Sequence, residues 1–197
     1  MSIAPLVSVI TPAIPARAGM LAHRCIPSVL DQWYPGDSIE HVVISDGYDQ
    51  KARELCQGAY VQWSAVQATE GRHWGASARN HGQEIASGEY IAYLDDDDEF
   101  LPCHLMVLVS ALIANPNAQW AYAGVNWQRG DGTRYTFAIP PEPGNVSSIL
   151  MHRATLPARW EDGPREHWEL VSGWLAQGIP YVAVNVPTAI AHQEGRS

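Results

Sequence analysis

Five carboxylates stand side by side at Asp95, Asp96, Asp97, Asp98 and Glu99, directly after the apolar run at residues 90–94. Adjacent like charges repel, so such a run is a liability for folding unless something neutralises it. A divalent cation would do so. Hard oxygen donors at a strand end suit Mg2+ or Mn2+, and either ion can bridge a substrate diphosphate. The plainer alternative is a solvated loop whose last acid caps a helix starting near Pro102, although one Asp would be enough for that.

The remaining charge narrows the partners. Lys plus Arg is 12 and Asp plus Glu is 21, a net charge of -9. No general basic face for nucleic acid is expected from that balance. Lys51 is the only lysine, so the positive charge is almost all arginine, which suits bidentate contact with phosphate. The three cysteines, Cys25, Cys56 and Cys103, form no CxxC pair, which argues against a zinc ribbon or a disulfide framework and for a reducing compartment. The start lacks a charged region followed by an apolar one, and the longest apolar stretch, residues 105–114, is too short to span a bilayer. A soluble, cytoplasmic protein without a membrane span is the expectation.

The elements that must position the acidic run alternate. Residues 6–10 and 41–45 are short β-branched runs that predict buried strands, and residues 60–66 alternate as a third. Helical spacing covers 17–33, with Pro27 a kink, then 49–57 and 75–87, with Gly88 as the C-terminal stop. Residues 90–94 predict a strand, and a helix follows Pro102 as far as Ala114. Alternation of this kind predicts an α/β fold: a Rossmann-like, mostly parallel sheet flanked by helices, with ligands at the carboxyl ends of the strands. Beyond residue 115 the pattern changes. Strands are expected at 119–127, 134–139 and 181–186, a helix at 166–177, and loops at 140–144 and 160–165. This part reads as a smaller elaboration on the same sheet, so residues 1–197 are expected to form one domain.

Five segments resemble a known family. Residues 88–102, with the acidic run, look like the Asp-x-Asp region of family 2 glycosyltransferases of the GT-A fold. Ala78-Arg79-Asn80-His81-Gly82 resembles the family's Ala-Arg-Asn-x-Gly signature. Residues 7–12, 28–35 and 42–47 resemble its first strand, its Ser-Val-Leu-x-Gln-x-Tyr-Pro segment and the end of its second strand. Five ordered matches over about 95 residues are far more specific than any one motif. The resemblance implies an inverting, metal-dependent transfer of a sugar from a nucleotide-diphosphate sugar to an acceptor hydroxyl. The donor half would be residues 1–115 and the acceptor half 116–197.

The resemblance also implies roles. Thr11, Pro12 and Asp46 would hold the nucleoside, although Ser45 stands where the family often has a first Asp. Arg79 would offset the diphosphate, while Asn80 would fix the backbone. Asp97 would contact Mn2+ or Mg2+ directly and Asp95 the ribose or a metal-bound water, with Asp96 a further donor contact; four consecutive aspartates leave the register ambiguous by one. His192 would ligate the metal or touch the diphosphate, and Arg196 would close over phosphate. Arg72, His73 and Trp74 would lie near the donor. The family's base Asp is replaced: in Glu166-His167-Trp168 the matching position is His167, preceded by Glu166. His167, Glu166 or Asp162 would then be the base. Trp160 and Trp168 flank it and are candidates to stack on an acceptor sugar. A UDP-sugar donor is favoured over a GDP-sugar, and the acceptor would be a sugar, a lipid-linked or a protein hydroxyl. Two other readings are open: an inactive relative that binds a nucleotide sugar or glycan, and a sugar nucleotidyltransferase. The latter is disfavoured because residues 11–17 lack a Gly-rich loop with Arg and Lys.

Overall fold

The computed structural model describes residues 4–68, 75–137 and 147–193. The strand β1 (Val7–Ala13) lies between β2 (Ile39–Asp46) and β4 (Tyr90–Tyr93), parallel to both, and β3 (Gln62–Val66) adds in parallel to β2. Strands covered on both faces carry near-continuous apolar runs, and β1 does so: Val7, Val9 and Ile10 are wholly buried. The predicted third strand begins two residues late. Tyr60 takes φ 57, a left-handed turn conformation, so the extended chain starts only after it.

The helical stretch after β1 runs from Pro15 to Leu30 in several pieces: a short α1 (Ala18–Met20), a π turn over Leu21–Cys25 and α2 (Ile26–Leu30). Pro27 has no N–H to give the preceding turn, and the helix widens just before it. Where the sequence predicts a kink at Pro27, a π turn is found on its N-terminal side. The helix α3 (Gln50–Gly58) starts from a side-chain cap, with the Asp49 carboxylate accepting from the Ala52 N–H at 3.1 Å. Next in the chain come α4 (Ala76–Ile85), β4, a two-residue β5 (Glu99–Phe100) and α5 (His104–Ala114).

Then follow β6 (Trp120–Arg129), β7 (Arg134–Phe137), β8 (Leu150–Arg153), α6 (Glu166–Ala176) and β9 (Tyr181–Gln193). Among the described residues the sheet order is β3-β2-β1-β4-β8-β6-β9-β5, with β7 added to β6. β8 is antiparallel to β4 and β6, while β6 and β9 are parallel, so six of the nine strands run in one direction. The α/β fold of GT-A type expected from the sequence is the one observed.

Three differences have local causes. β5 and β8 were not predicted, because one is hidden in the acidic run and the other is only four residues long. β9 continues past residue 186 to Gln193 despite Pro187. Register shifts on either side of Gly124 open a bulge there, and the strand accommodates its proline at that irregularity. Gly88 does not cap α4, which ends at Ile85. A Cβ at Gly88 would lie 2.5 Å from the backbone nitrogen of Ser8, so close approach of two chains is what that position requires. The loop expected at 140–144 lies outside the described residues.

The glycine of Ala78-Arg79-Asn80-His81-Gly82 works by contact as well. A Cβ at Gly82 would come 2.4 Å from Cγ2 of the wholly buried Ile10, so α4 sits directly on β1. This spacing sets where Arg79, one turn earlier, enters the interior. Gly82→Ala gains up to about 1 kcal/mol of helix propensity but over-packs the core at a cost of about 1–3 kcal/mol. The net expectation is a fall in melting temperature of roughly 2–8 °C for a domain of this size. Calorimetry of the variant checks it, and a rise would show that α4 can move off the sheet.

Candidate active site

The parallel strands deliver their carboxyl ends to one edge. Ile10 is opposite Tyr93, and Ala13 is opposite Ser45. Thr11, Pro12 and Asp46 are therefore brought to the same edge as the chain leaving β4. Thr11 is wholly buried; its hydroxyl shares a 2.9 Å hydrogen bond with His41 Nε2. Burial pushes the His41 imidazole down to about 3, so the ring is neutral and the contact is a core hydrogen bond. Any ligand contact at Thr11 would have to come through its backbone. Pro12 is half-buried and Asp46 is largely buried at the end of β2. Ser45 accepts from the Trp63 indole N–H at 2.8 Å, so the position where the resembled family often has an Asp is used to fix β3.

The four aspartates form a closed turn, with the Asp98 N–H donating to Asp95 O at 3.1 Å. The side chains fan out to separate parts of the chain, with Asp96 and Asp97 sharing one arginine. Asp95 accepts from Arg79 Nη2 at 2.6 Å. Asp96 accepts from the Ile14 N–H at 2.9 Å and from Arg17 Nη1 at 3.1 Å. Asp97 pairs with the same Arg17 nitrogen at 3.2 Å. Asp98 accepts from the Ser148 hydroxyl and from the His192 N–H. Asp96 and Asp98 thus tie the turn to the helical stretch after β1 and to the second half. The side chains of Asp95 and Asp97 are the more open, 11% exposed against 3% for Asp96.

Burial is the largest influence on two of these carboxyls. Burial pushes Asp96 up to about 6, against the pull of Ile14 and Arg17. Burial, then the Asp95 and Asp97 charges, push Asp98 well above the carboxylate range. Burial works against the charge on Arg17, yet Asp97 and Asp96 hold it above its ordinary value. Arg17 was not singled out from the sequence. Nothing local marks it, since its carboxylate partners lie about 80 positions later in the chain.

Among the described residues no three His, Cys, Asp or Glu side chains converge as a self-sufficient metal site. Mg2+ and Mn2+ at phosphate sites are commonly held by one or two carboxylates plus the substrate phosphates. The hard oxygens of Asp95 and Asp97, the more open side chains of the turn, fit an ion that arrives with a diphosphate. His192 has one ring nitrogen engaged by Glu99, Nε2 to Oε1 at 2.6 Å. Carboxylates orient metal-bound histidines in the same manner. Arg196, Arg72, His73 and Trp74 lie outside the described residues.

Arg79, the arginine that the resemblance assigns to a diphosphate, lies deep in the interior. It is 2% exposed, with Nη2 on Asp95 and Nη1 on Glu166 Oε1, both at 2.6 Å. Its guanidinium lies over the Trp160 ring, 4.7 Å from the centroid. Asn80 exchanges two hydrogen bonds with the Trp160 backbone, at 2.9 and 3.0 Å, and so fixes that backbone. Trp160 is itself 2% exposed against Tyr93, so it belongs to the interior; Trp168 is half-buried.

Glu166 and His167 begin α6. His167 is half-buried with its ring edge-on to Trp160, and its Nε2 lies 3.6 Å from Glu166 Oε1. Among the described residues Glu166 Oε2 is buried without a hydrogen-bond partner. Burial pushes the Glu166 carboxyl up to about 7 in spite of Arg79. Asp162 is exposed on the preceding loop.

The α/β sheet thus ends in an acidic turn that an arginine links to a Glu-His pair, and comparison with known proteins shows the family. Residues 8–161 match Glycosyl transferase family 2. The chain belongs to that family. It is 30% identical over 121 residues to the uncharacterized glycosyltransferase YibD of Escherichia coli, covering 57% of this chain and 35% of YibD. It is 30% identical over 131 residues to the putative teichuronic acid biosynthesis glycosyltransferase TuaG of Bacillus subtilis, covering 66% of this chain and 50% of TuaG. The chain thus spans between a third and a half of these relatives. The fold also matches residues 1–349 of Staphylococcus aureus TarS in complex with UDP-GlcNAc, with TM-score 0.74, 16% identity, and coverage of 98% of this chain and 60% of that one. The mannosyltransferase PcManGT of Pyrobaculum calidifontis, in complex with GDP-Man and Mn2+, gives TM-score 0.67 and 16% identity, covering 98% of this chain and 57% of that one.

The raised Glu166 has a definite sign in stability. An unfolded glutamate carboxyl releases its proton near its ordinary value of 4.5, while the folded one holds it to about 7. Between these values the folded state binds more protons, so this contribution to stability falls as pH rises. Glu166→Gln removes it. The melting temperature of the variant, relative to wild type, should therefore climb from pH 4.5 to 7. The opposite trend would mean that Arg79 keeps Glu166 ionised throughout.

Proposed function

We propose that this chain transfers a sugar from a nucleotide-diphosphate sugar to an acceptor hydroxyl, with Mn2+ or Mg2+ and with inversion. Its sheet carries the donor at residues 1–115 and the acceptor on residues 116–197. The observation that carries the reading is the buried aspartate turn at the edge where the strands end, with Arg79 connecting it to the Glu-His pair. A UDP-sugar is the favoured donor and a GDP-sugar the next, in line with the UDP-GlcNAc and GDP-Man complexes of the structural neighbours.

Asp97 and Asp95 would hold the ion, and His192 is a further candidate ligand. The ion would supply neutralisation of the charge that develops on the departing diphosphate. Arg17, with a side chain 32% exposed, is better placed to share in that than the buried Arg79. Asp46 would accept from a base N–H or a ribose hydroxyl. On the acceptor side, His167 Nε2 takes the hydroxyl proton as the new oxygen–carbon bond forms and the carbon–phosphate-oxygen bond breaks, its electrons leaving with the diphosphate. The Glu166 carboxylate 3.6 Å away stabilises the imidazolium that results. The acceptor is a hydroxyl of a sugar, a lipid-linked saccharide or a protein. Among the described residues no helix is long and apolar enough to cross a membrane.

Binding is the first test. Melting curves with Mn2+ or Mg2+ and a panel of UDP, GDP, CDP and dTDP should show one nucleotide raising the melting temperature only with metal. At a hundredfold excess over Kd the rise is about 2.7 kcal/mol, or roughly 5–10 °C. Asp97→Asn should abolish it, and no shift with any nucleotide would overturn the donor site.

Turnover is the second test. His167→Ala should lower kcat by about 100-fold or more with nucleotide binding intact. NMR of the product should show an inverted anomeric centre, and retention would sink the displacement. The histidine at the position of the family's base Asp favours one other reading, a relative that binds without turnover. Nucleotide binding with no transfer to any acceptor would select it.

A further inference from the structure

Arg79 joins two groups that belong to different halves of the proposed reaction, and its surroundings leave it little freedom. Each terminal nitrogen donates at 2.6 Å, one to Asp95 and the other to Glu166. The guanidinium face is covered by Trp160, whose backbone is clamped by Asn80 and whose ring touches His167. A planar, always charged fork bridges two carboxylates in one plane, which an ammonium cannot do. At 2% exposure neither ion pair can open without stranding a buried charge, so a shift of one carboxylate is felt by the other.

We infer that Arg79 is a positioning residue that couples the donor turn to the start of α6: a ligand engaging Asp95 fixes Glu166, and with it His167, through the shared guanidinium. The inference rests on the donor reading above and adds to it the way in which a filled donor site readies the acceptor side. Coupling is reciprocal, so ordering α6 also tightens the donor site. The indole of Trp160 contributes by keeping the guanidinium plane in line with both carboxylates.

Hydrogen exchange of the whole chain, with and without UDP plus Mn2+ and in parallel GDP plus Mn2+, tests this. The amides of interest begin α6, including Glu169, whose N–H donates to Arg165 O at 2.9 Å. In wild type, nucleotide with Mn2+ should slow exchange at 95–98 and also at the start of α6, the latter about 5-fold or more. Arg79→Lys keeps the charge and loses the fork; it should still bind nucleotide, with the α6 protection reduced to less than about 2-fold. Glu166→Gln breaks only the α6 side and should do the same, which keeps the test open if the lysine variant fails to fold. Protection of α6 that is unchanged in these variants would overturn the inference, as would protection confined to 95–98 in wild type. If neither nucleotide protects any part of wild type, the donor reading itself falls and takes the coupling with it.

Discussion

Two carboxylates from distant parts of the chain, Asp95 and Glu166, converge on a single guanidinium in the interior, and the architecture around them is arranged to permit it. Removing one member of a buried ionic group typically costs about 3–5 kcal/mol, because the charges that remain are uncompensated. The net worth of the intact group is small by comparison, since desolvation offsets most of the attraction. Its effect is therefore one of specification rather than bulk stability. Only a register that brings the end of β4, the second turn of α4 and the start of α6 together leaves no buried charge stranded.

Several features follow from that constraint. The contact between Gly82 and Ile10 lets α4 lie flat enough on β1 for Arg79 to reach inward. The Asn80 clamp on Trp160 turns the chain before α6 back toward the sheet. The aspartate turn completes the arrangement with its other side chains, one to the stretch after β1 and one to the strands of the second half. Repulsion among adjacent aspartates is thereby met by a hub in which Asp95 faces Arg79, Asp96 and Asp97 share Arg17, and Asp98 faces Ser148 and His192.

Much of this is local enough to be read from the sequence. The strand before the aspartates, the helix carrying Ala78-Arg79-Asn80-His81-Gly82 and the strand–helix alternation depend on periodicity and short spacing, and their bounds fall within a few residues of expectation. The partners of the charged groups are another matter. Arg17 meets Asp96 across 79 positions, Ser148 meets Asp98 across 50, and His192 meets Glu99 across 93. No periodicity encodes such contacts. A histidine near the end of the chain could be suspected of touching the site, whereas its carboxylate partner could not be named. The same reason hid β5, which exists only because β9 returns beside it. Arg79 sits in a motif that short spacing locates, but no local pattern reveals the burial of its side chain.

The position of β9 has a consequence for the order of events during synthesis. This strand lies inside the sheet, between β6 and β5, yet it is drawn from residues 181–193. Its His192 N–H closes on Asp98 across 94 positions of chain. A nascent chain can assemble β1 to β4 while still attached to the ribosome, but Asp98 has no donor from β9 until that strand emerges. Until then Asp98 lacks that contact, although Ile14, Arg17, Arg79 and Ser148 can already reach the turn, and long-range closure of this kind is slow. The edge where the parallel strands end is thus completed by a strand drawn from residues 181–193, long after β1 to β4 have been made.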